Sequence, residues 1–213
     1  MKRIYLIMLM IAAMMVSCNP KDEDDDHGGN HHGKINGHEY VDLGLPSGLK
    51  WATCNVGASK PEYYGDYFAW GETSPKAEYT IENSITYDEQ MIDISGNAQY
   101  DAATANWGGS WRMPTIDEMQ ELLDYCEFEW TQVNEVYGSK VIGLNGSCIF
   151  LPAAGYRYGS SLGDASSNGG YWSSTPNYNV NDYNACLLGF YDGYEYVDIY
   201  YRSYGHTVRP VSE

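Results

Sequence analysis

The sequence predicts an α+β domain with two short helices and several short antiparallel strands. Two helix-start signals occur in the middle of the chain, at Asp101 and Thr115. A run of short strand patterns separated by Gly, Asn and Ser follows them to the C-terminus, and this order is typical of the α+β class. The 213 residues are 43% hydrophobic and 15% aromatic, which is the composition of a folded domain and not of a disordered chain.

The first residues, 1–17, predict a secretory signal peptide. Lys2 and Arg3 precede an apolar run from 4 to 16, which is too short to span a membrane as a helix. Cys18 directly follows a small residue, and this arrangement resembles the processing site of bacterial lipoproteins. The resemblance implies that Cys18 becomes the lipidated first residue. The alternative is an ordinary signal peptide that is cleaved near a buried cysteine.

Residues 18–36 predict an extended tether, because the acidic run from 22 to 26 repels itself and the residues after it are rich in Gly and His. Lys21, with acidic residues behind it, also resembles a surface-export signal of Gram-negative outer-membrane lipoproteins. We therefore expect a lipid-anchored outer-membrane protein, exposed at the cell surface, with a single domain at 37–213.

The formal net charge of −17 and the pI near 4.4 limit the partners. Nucleic acids and anionic lipid surfaces are bound by clustered Lys and Arg side chains, and a strongly acidic chain does not offer them. We therefore expect no nucleic-acid partner, and contact with the membrane through the lipid anchor.

The N-terminal part of the domain predicts a β-hairpin followed by irregular structure. Residues 39–43 and 49–54 form its two strands, with a turn at Pro46-Ser47-Gly48 between them. The aromatic stretch from 63 to 71 predicts an extended segment. Residues 72–99 lack clean periodicity and contain turn formers, so they predict a long surface excursion.

Two helices are predicted from their capping residues. Asp101 caps a short helix that ends at Gly108-Gly109. Thr115 and Glu118 have the spacing of a capping box, and apolar residues recur at helical spacing over about 115–126. The buried face of this second helix is predicted to consist of Met119, Leu122, Leu123 and Cys126.

Short antiparallel strands are predicted for the rest of the chain. Residues 140–144 and 147–152 predict a hairpin, since Asn145-Gly146 suits a type I′ turn with positive φ at both positions. A loop rich in Gly and Ser is predicted from 155 to 170. Further strands are predicted at 171–174, 184–190, 194–199 and 207–211.

The stretch from Gly169 to Val211 contains nine tyrosines among Asn, Asp, Ser and Gly. Tyrosine gives a large, rigid contact surface and small polar neighbours give hydrogen bonds, as in antibody paratopes. A tyrosine-rich sheet would have the same composition, because tyrosine also favours strands, and this alternative stays open. In a strand, every second residue from Tyr194 to Tyr200 shares one face. Val197 is predicted to point inward, which leaves the tyrosines outside.

Four motifs of the domain are found together: Lys50-Trp51-Ala52-Thr53-Cys54-Asn55-Val56-Gly57, Gly108-Gly109-Ser110-Trp111-Arg112-Met113-Pro114-Thr115, Gly170-Tyr171-Trp172-Ser173-Ser174 and Gly205-His206-Thr207-Val208-Arg209-Pro210-Val211. This combination resembles the FISUMP family, also called the major paralogous domain family, over about 37–211. The resemblance implies a C-type-lectin-like fold of the formylglycine-generating-enzyme type.

The same fold carries the variable proteins of diversity-generating retroelements, which implies a variable ligand-binding surface at about 177–206. Adenine-directed mutagenesis in such proteins mostly rewrites Asn codons, and the products include Tyr, Asp, Ser, His, Gly, Cys, Leu and Ile. On this resemblance the ligand-binding residues are Asp182, Tyr183, Cys186, Leu187, Gly189, Tyr191, Asp192, Tyr194, Tyr196, Asp198, Ile199, Tyr200, Tyr201, Ser203, Tyr204 and His206. The residues between them are predicted to form a fixed frame: Ala185, Leu188, Phe190, Gly193, Val197, Arg202 and Gly205.

Catalysis is not predicted. Formylglycine-generating enzymes use a reactive cysteine pair, but Cys186 has no partner close in sequence in the corresponding region. His38 and His206 fall in no motif with a nucleophile. Three disulfide pairings stay open, with free buried thiols favoured, for the cysteines of the domain: Cys54, Cys126, Cys148 and Cys186.

No metal or other cofactor is predicted. The tether histidines have no thiol or carboxylate held beside them, and they suggest a solvated linker: His27, His31 and His32. The Asp and Asn content would favour calcium over a transition metal, but no EF-hand spacing occurs. Four residues inside the motifs are predicted to be core or buried hydrogen-bonding residues and not a sugar or anion site: Trp111, Arg112, Trp172 and Arg209.

The function that we expect is binding of a protein or glycan by a surface lipoprotein, through the tyrosine-rich region at about 177–206. Tyrosines would anchor the ligand, and Asp, Asn and Ser would contribute polar contacts. The alternative is a structural or adhesive component of a surface assembly, which would use the same region as a subunit interface.

Overall fold

The computed structural model describes residues 31–178 and 183–213; the predicted signal peptide, Cys18 and most of the predicted tether lie outside them. The described residues form two α-helices, α1 (Ala102–Trp107) and α2 (Ile116–Tyr125), and a 3₁₀ helix at Ile81–Asn83. Their strands are β1 (His32–Ile35), β2 (His38–Asp42), β3 (Lys50–Ala52), β4 (Phe68–Ala69), β5 (Glu127–Val133), β6 (Val136–Ile142), β7 (Cys148–Pro152), β8 (Tyr156–Tyr158), β9 (Ser161–Gly163), β10 (Asn168–Pro176), β11 (Asn184–Tyr191), β12 (Tyr194–Tyr201), β13 (Gly205–His206) and β14 (Val211–Ser212).

The predicted α+β class is wrong, because the protein is mostly β. Its strands form four small antiparallel sheets, β1-β2-β3-β14, β10-β11-β12, β4-β13-β8-β9 and β5-β6-β7. Of the residues that the structure describes, about 40% are in strands and only 11% are helical. The helices are short, and several segments for which no strand was predicted pair as strands.

β5 and the first half of β6, which precedes the strand predicted at 140–144, form the largest of these segments. β5 alternates between exposed acidic residues and half-buried aromatic residues, as Glu127 and Phe128 show, which is the two-residue period of a strand. Asn134 and Glu135 connect the strands with φ values of 47° and 69°. Two-residue hairpin turns of type I′ need positive φ at both positions. The turn with positive φ at both positions, which was predicted at Asn145-Gly146, is therefore found at Asn134-Glu135, between β5 and β6.

The predicted hairpin of β6 and β7 is confirmed, but the prediction of a type I′ turn is wrong. Only Gly146 of the Asn145-Gly146 pair has a positive φ, at 82°. The Asn145 side chain instead accepts a hydrogen bond from the Ser147 N–H at 3.0 Å. This local bond favours a longer loop that ends with a left-handed glycine.

A second unpredicted hairpin, β8 with β9, lies in the segment predicted as a Gly- and Ser-rich loop. Tyr156 pairs with Gly163, and Tyr158 pairs with Ser161. Arg157 of β8 also pairs with Gly205 of β13. The hairpin therefore lies beside the C-terminal segment of the chain.

The sheet β1-β2-β3-β14 joins the two ends of the described chain. The predicted hairpin of β2 and β3 is confirmed, with Val41 opposite Trp51, and Val211 of β14 pairs with the same tryptophan. β1 pairs with β2. The last residues of the segment predicted as a tether, 32–35, therefore belong to this sheet.

Both predicted helices are confirmed together with their caps. The Asp101 carboxylate accepts a hydrogen bond from the Thr104 N–H at 2.9 Å, and Thr115 forms the predicted capping box with Glu118. Met119 and Leu122 are buried as predicted, while Leu123 and Cys126 are partly buried against the same core. Neither α-helix of the described residues is long and apolar enough to cross a membrane.

The segment 72–99 is more than the predicted surface excursion, because some of its side chains are buried. Ile94 packs in a core with Trp70 and Trp172. The Tyr79 side chain is buried against Tyr67 and Ala69. These contacts tie the segment to the domain although it contains no strand.

The sheet β10-β11-β12 lies between two hydrophobic cores. Leu188 and Phe190 of β11 pack in the first core, to which α2 contributes. Ala185 and Leu187 of the same strand pack in the second core, together with Trp172 of β10. The alternation along β11 thus sends neighbouring residues to opposite sides of the sheet.

Candidate functional site

One face of the sheet β10-β11-β12, which we call the tyrosine face, carries every second residue of β12: Tyr194, Tyr196, Asp198 and Tyr200. Val197 lies opposite Leu188 of the first core and packs against that core. Residues directly opposite each other in antiparallel strands point to the same side of the sheet. The predicted alternation is therefore confirmed, with Val197 inward and the tyrosines on the other side.

Small residues of β10 and β11 leave room for the rings of the tyrosine face. A Cβ atom at Gly189 would lie 2.5 Å from the ring of Tyr196, which is opposite it. A Cβ atom at Gly170 would lie 2.5 Å from the Nδ1 of His206. The rings of Tyr196 and His206 therefore rest directly on glycine backbone.

A pocket of about 120 Å³ opens between the tyrosine face, the β8–β9 hairpin and β13. Five of the predicted ligand-binding residues line it: Leu187, Tyr196, Asp198, Tyr200 and His206. Residues outside the predicted set complete the lining, among them Tyr156, Asp164 and Asn168. The pocket therefore combines aromatic rings with two carboxylates.

His206 is the most buried polar residue of this lining, at 3% exposure. Its ring meets Trp172 edge-on at 4.7 Å between centroids and Tyr200 at 5.1 Å. Burial lowers the pKa of His206 to about 3, and the nearby Gly170 backbone opposes this shift. Neither ring nitrogen makes a hydrogen bond of normal geometry to a described residue. His206 is therefore a neutral imidazole with unused hydrogen-bonding capacity.

Tyrosine rings surround the mouth of the pocket. The rings of Tyr156 and Tyr200 are 5.9 Å apart, and that of Tyr204 is 5.7 Å from Tyr156 and 5.1 Å from Tyr200. Burial raises the pKa of Tyr200 to about 12, with further contributions from neighbours that include Asp164. Tyr200 is therefore an uncharged phenol at neutral pH.

Two carboxylates, Asp164 and Asp198, give the pocket a negative charge. Asp198 helps to raise the pKa of Tyr196, whose largest cause is burial. Neither aspartate forms an ion pair with any described residue. No Lys or Arg of the described chain lines the pocket.

A second group of rings lies at the β11–β12 turn, at the far end of the tyrosine face. Tyr191 and Tyr194 face each other across the strands, with ring centroids 5.3 Å apart, and Tyr196 is 5.5 Å from Tyr194. Tyr191 is 43% exposed and Tyr194 is 52% exposed. Gly193 has a φ of 74°, which the tight turn between the strands needs. These tyrosines are available to a partner without any rearrangement.

The predicted ligand-binding residues do not all lie together. The tyrosine face holds seven of them: Leu187, Gly189, Tyr191, Tyr194, Tyr196, Asp198 and Tyr200. Cys186 and Ile199 pair on the opposite side of the sheet, and Tyr201 lies on that same side, two residues after Ile199. Ser203 is buried and does not line the pocket.

The remaining predicted ligand-binding residues lie before, between and after the strands β11 and β12. Tyr183 stacks on Tyr87 with ring centroids 5.0 Å apart, and Asp192 is exposed at the β11–β12 turn. Tyr204 and His206 extend the ring cluster beside the pocket. Asp182 lies outside the described residues.

Sequence reasoning missed the contribution of the β8–β9 hairpin. Tyr156, Tyr158 and Asp164 were part of a segment predicted as a loop, yet Tyr158 lies 4.8 Å from Tyr204 and Tyr156 lines the pocket. The spacing of the two tyrosines, with Arg157 between them, is a two-residue period that could have indicated a strand.

The prediction of core or buried hydrogen-bonding residues is confirmed for Trp111, Trp172 and Arg209, and in part for Arg112. Trp111 and Trp172 are buried and donate hydrogen bonds to the backbone carbonyls of Ile35 and Phe68. Arg209 is buried and donates to the carbonyl oxygens of residues 52, 53 and 150 and to Asn55 Oδ1. Arg112 is partly buried and binds both carboxylate oxygens of Glu118.

The cysteines differ from the prediction of four free buried thiols. Cys54, Cys126 and Cys186 are free as predicted, but they are only partly buried. Burial raises the pKa of Cys126 to about 11 and also raises that of Cys186. Both thiols are therefore protonated and weakly nucleophilic at neutral pH. Residues 31–178 and 183–213 contain no group of three or more His, Cys, Asp and Glu side chains that could hold a metal ion.

The chain matches a known protein family. The model of the Lcl C-terminal domain matches residues 44–212, which is most of the chain. The resemblances to the FISUMP family and to the formylglycine-generating-enzyme type are not confirmed. No curated protein matches the chain. No solved structure matches it.

Proposed function

Because the chain belongs to the Lcl C-terminal domain family, which is compatible with a surface-associated protein, we propose that it is a surface lipoprotein whose tyrosine face binds a protein or glycan. The observation that carries this proposal is that the two sides of one sheet differ in burial. Exposed rings and the pocket lie on one side of β11 and β12, while the frame residues Leu188 and Phe190 are buried on the other. Ala185 and Leu187, at the start of β11, are buried in the second core on the same side as the pocket.

The exposed tyrosines have the properties of interface anchors. Tyr191 and Tyr194 present large ring surfaces close to the exposed Asp192, which can contribute hydrogen bonds. Tyrosine loses little conformational entropy on binding, and neighbouring rings restrict it further. Such a surface recognises a partner without rearranging its backbone.

The arrangement also supports diversification of this surface by a retroelement. The frame residues Ala185, Leu188, Phe190 and Arg202 are buried, so changes there would disturb the fold. Seven of the predicted variable positions are exposed, where substitutions are tolerated: Tyr183, Tyr191, Asp192, Tyr194, Asp198, Ile199 and Tyr201. A template repeat that differs at adenines beside the gene, with a reverse transcriptase, is the expected finding. Absence of both from the locus would contradict active diversification.

Binding is favoured over catalysis by the state of the reactive groups. The thiols of Cys126 and Cys186 have raised pKa values, and His206 has a pKa lowered to about 3. A nucleophile needs a lowered pKa or a base that accepts its proton near neutral pH. The residues of the pocket supply neither of these.

Lipid attachment at Cys18 completes the proposal. The signal pattern of residues 1–17 and the acidic tether behind it would place the domain outside the membrane surface. Cells fed with labelled palmitate should label the protein, and the Cys18→Ala variant should not be labelled. Equal labelling of both proteins would remove this part of the proposal.

The binding proposal is tested with the full-length protein on arrays of glycans and of purified cell-surface proteins. Replacing Tyr191 and Tyr194 with Ala removes the exposed rings of the tyrosine face. We expect loss of affinity of about tenfold or more for each ligand that the natural protein binds, since truncated anchor tyrosines typically cost that much.

The control variant replaces two tyrosines of similar exposure elsewhere, Tyr63 (46%) and Tyr125 (47%), with Ala. It should bind as the natural protein does. Equal binding by all three proteins would overturn the proposal. If the natural protein sediments as an oligomer and the Tyr191 and Tyr194 variant as a monomer, the face is a subunit interface, as in the alternative hypothesis.

A further inference from the structure

We propose that the pocket beside the tyrosine face binds an alkylammonium group that carries at least one N–H. This inference rests on the proposed function and names the kind of ligand group that the pocket of the tyrosine face binds. Three properties of the pocket carry it: aromatic walls, carboxylates without an ion-pair partner and a buried imidazole with unused hydrogen-bonding capacity.

The aromatic walls form a cup around the cavity. The rings of Tyr156, Tyr200 and His206 all line it, and their centroids are 5.1 to 6.1 Å apart. The ring of Tyr200 is nearly perpendicular to that of His206, at 88°, and is tilted by 48° from that of Tyr156. Rings set at such angles enclose a small volume, and their electron-rich faces attract organic cations.

The charge of the lining selects a cation. Asp164 and Asp198 both line the pocket, and no described Lys or Arg lines it or forms an ion pair with either aspartate. Two unpaired carboxylates beside aromatic rings repel anionic ligands and attract an ammonium group. The formal charge of the whole chain, −17, has the same sign.

The imidazole of His206 selects a cation with N–H groups. A neutral imidazole has one nitrogen that donates and one that accepts. His206 is 3% exposed; the Gly170 backbone lies beside its ring, but neither ring nitrogen makes a hydrogen bond of good geometry to a described residue. A buried polar group without a partner is unfavourable, so a ligand N–H that reaches the accepting nitrogen is favoured. A quaternary ammonium group cannot form this bond.

The size of the pocket fits an ammonium group with a short alkyl segment and not a sugar ring. Its volume of about 120 Å³ is smaller than the cavity of about 150 Å³ that holds a benzene ring in other proteins. An ammonium nitrogen with the first carbons of its chain fits this space, while a pyranose with its hydroxyl groups is larger. The chain of the ligand would leave through the open side, past Tyr196.

Two sources could supply this group: a free amine, or a lysine side chain of a protein partner. Binding of n-butylammonium, n-butanol and tetramethylammonium to the full-length protein is measured by calorimetry at neutral pH. A peptide with one central lysine and a matched peptide with norleucine form the second arm. Tighter binding of the lysine peptide than of n-butylammonium assigns the site to a protein partner, and the reverse order assigns it to a free amine.

We expect n-butylammonium to bind about tenfold or more tightly than n-butanol, because the uncharged alcohol loses the attraction to the rings and carboxylates. Tetramethylammonium should bind more weakly than n-butylammonium. Asp164→Asn and Asp198→Asn should each weaken n-butylammonium binding, and the double variant should weaken it further.

The matched control is Asp124→Asn, which removes one exposed carboxylate on α2 without touching the pocket. It should leave n-butylammonium binding unchanged, and near-ultraviolet circular dichroism should show that all variants are folded. Equal affinity for the alcohol and the amine, or equal loss in the control and the double variant, would overturn the proposal. The small probes need no macromolecular ligand, so this result is independent of the array experiment with the Tyr191 and Tyr194 variant.

Discussion

The two faces of the sheet β10-β11-β12 are built from alternating residues of the same strands, yet near the β11–β12 turn one face is buried and the other is exposed. The inner face carries Leu188 and Phe190, which are buried in the first core together with Tyr171. The tyrosine face carries exposed Tyr191 and Tyr194, and a pocket lined by polar groups.

This difference shows how one strand can hold the fold and a binding surface at once. A residue on the inner face is fixed by close packing, so even small changes of volume have a cost. A residue on the exposed part of the tyrosine face has solvent on one side and can change at little cost in stability. Substitutions in adjacent positions of β11 should therefore have very different effects.

The largest expected effect is that of Phe190→Ala compared with Tyr191→Ala. Phe190 packs in the core near Tyr171 and Trp130, and its truncation should lower the free energy of unfolding by about 3–5 kcal/mol. Tyr191→Ala, one residue further on, should change it by less than about 1 kcal/mol because that ring is 43% exposed. Urea denaturation of both variants measures the difference. Similar losses would show that the two faces are not distinct in stability.

A smaller effect concerns His206, the buried end of the pocket. The imidazole takes up a proton near pH 6.5 in an unfolded chain but only near pH 3 in the folded protein. Between these values the unfolded chain binds more protons, so stability is lost as the pH falls below about 6.5. The contribution of this one group is at most about 1.4 kcal/mol per pH unit.

His206→Phe isolates this contribution, since phenylalanine keeps a ring at the same place but does not titrate. The free energy of unfolding of the natural protein should fall between pH 6.5 and pH 5 more steeply than that of the variant. Urea denaturation at several pH values gives the two slopes. Parallel slopes would mean that His206 is not buried as a neutral imidazole.

The sequence predicted the parts of the fold that depend on local signals. Both helices were found because Asp101 and Thr115 cap their own first turns. The inward position of Val197 follows from strand alternation, which is also a local property. The frame residues of β11 and the buried Arg209 could likewise be recognised within short motifs.

The α+β class and the pocket could not be predicted in the same way, because they depend on pairing between distant segments. Tyr156 and Asp164 reach the pocket only because β8 pairs with β13, almost fifty residues later in the chain. Strand alternation placed Tyr200 on an open face, but it could not show which segment lies opposite it. Ser203 shows the reverse error: its residue type suggested a surface position, and tertiary packing buries it.

The smallest expected effect comes from adding a single methyl group to one glycine on each face, with the variants Gly169→Ala and Gly189→Ala. At Gly169, a Cβ atom would lie 2.1 Å from the Phe190 ring, which is held in the first core, so Gly169→Ala should cost about 1–3 kcal/mol. At Gly189, a Cβ atom would meet the far end of the Tyr196 ring at 2.5 Å, and this ring is only partly buried. Gly189→Ala should therefore leave the free energy of unfolding within about 0.5 kcal/mol of the natural value.

The same Gly189→Ala change should still be detected by a ligand, because it moves the Tyr196 ring that lines the pocket. Urea denaturation and n-butylammonium binding measured on both glycine variants separate the two outcomes. A stability loss at Gly189 as large as that at Gly169 would mean that Tyr196 is held as rigidly as Phe190. In that case the tyrosine face would be part of the fixed frame and not a surface on which residues can be exchanged.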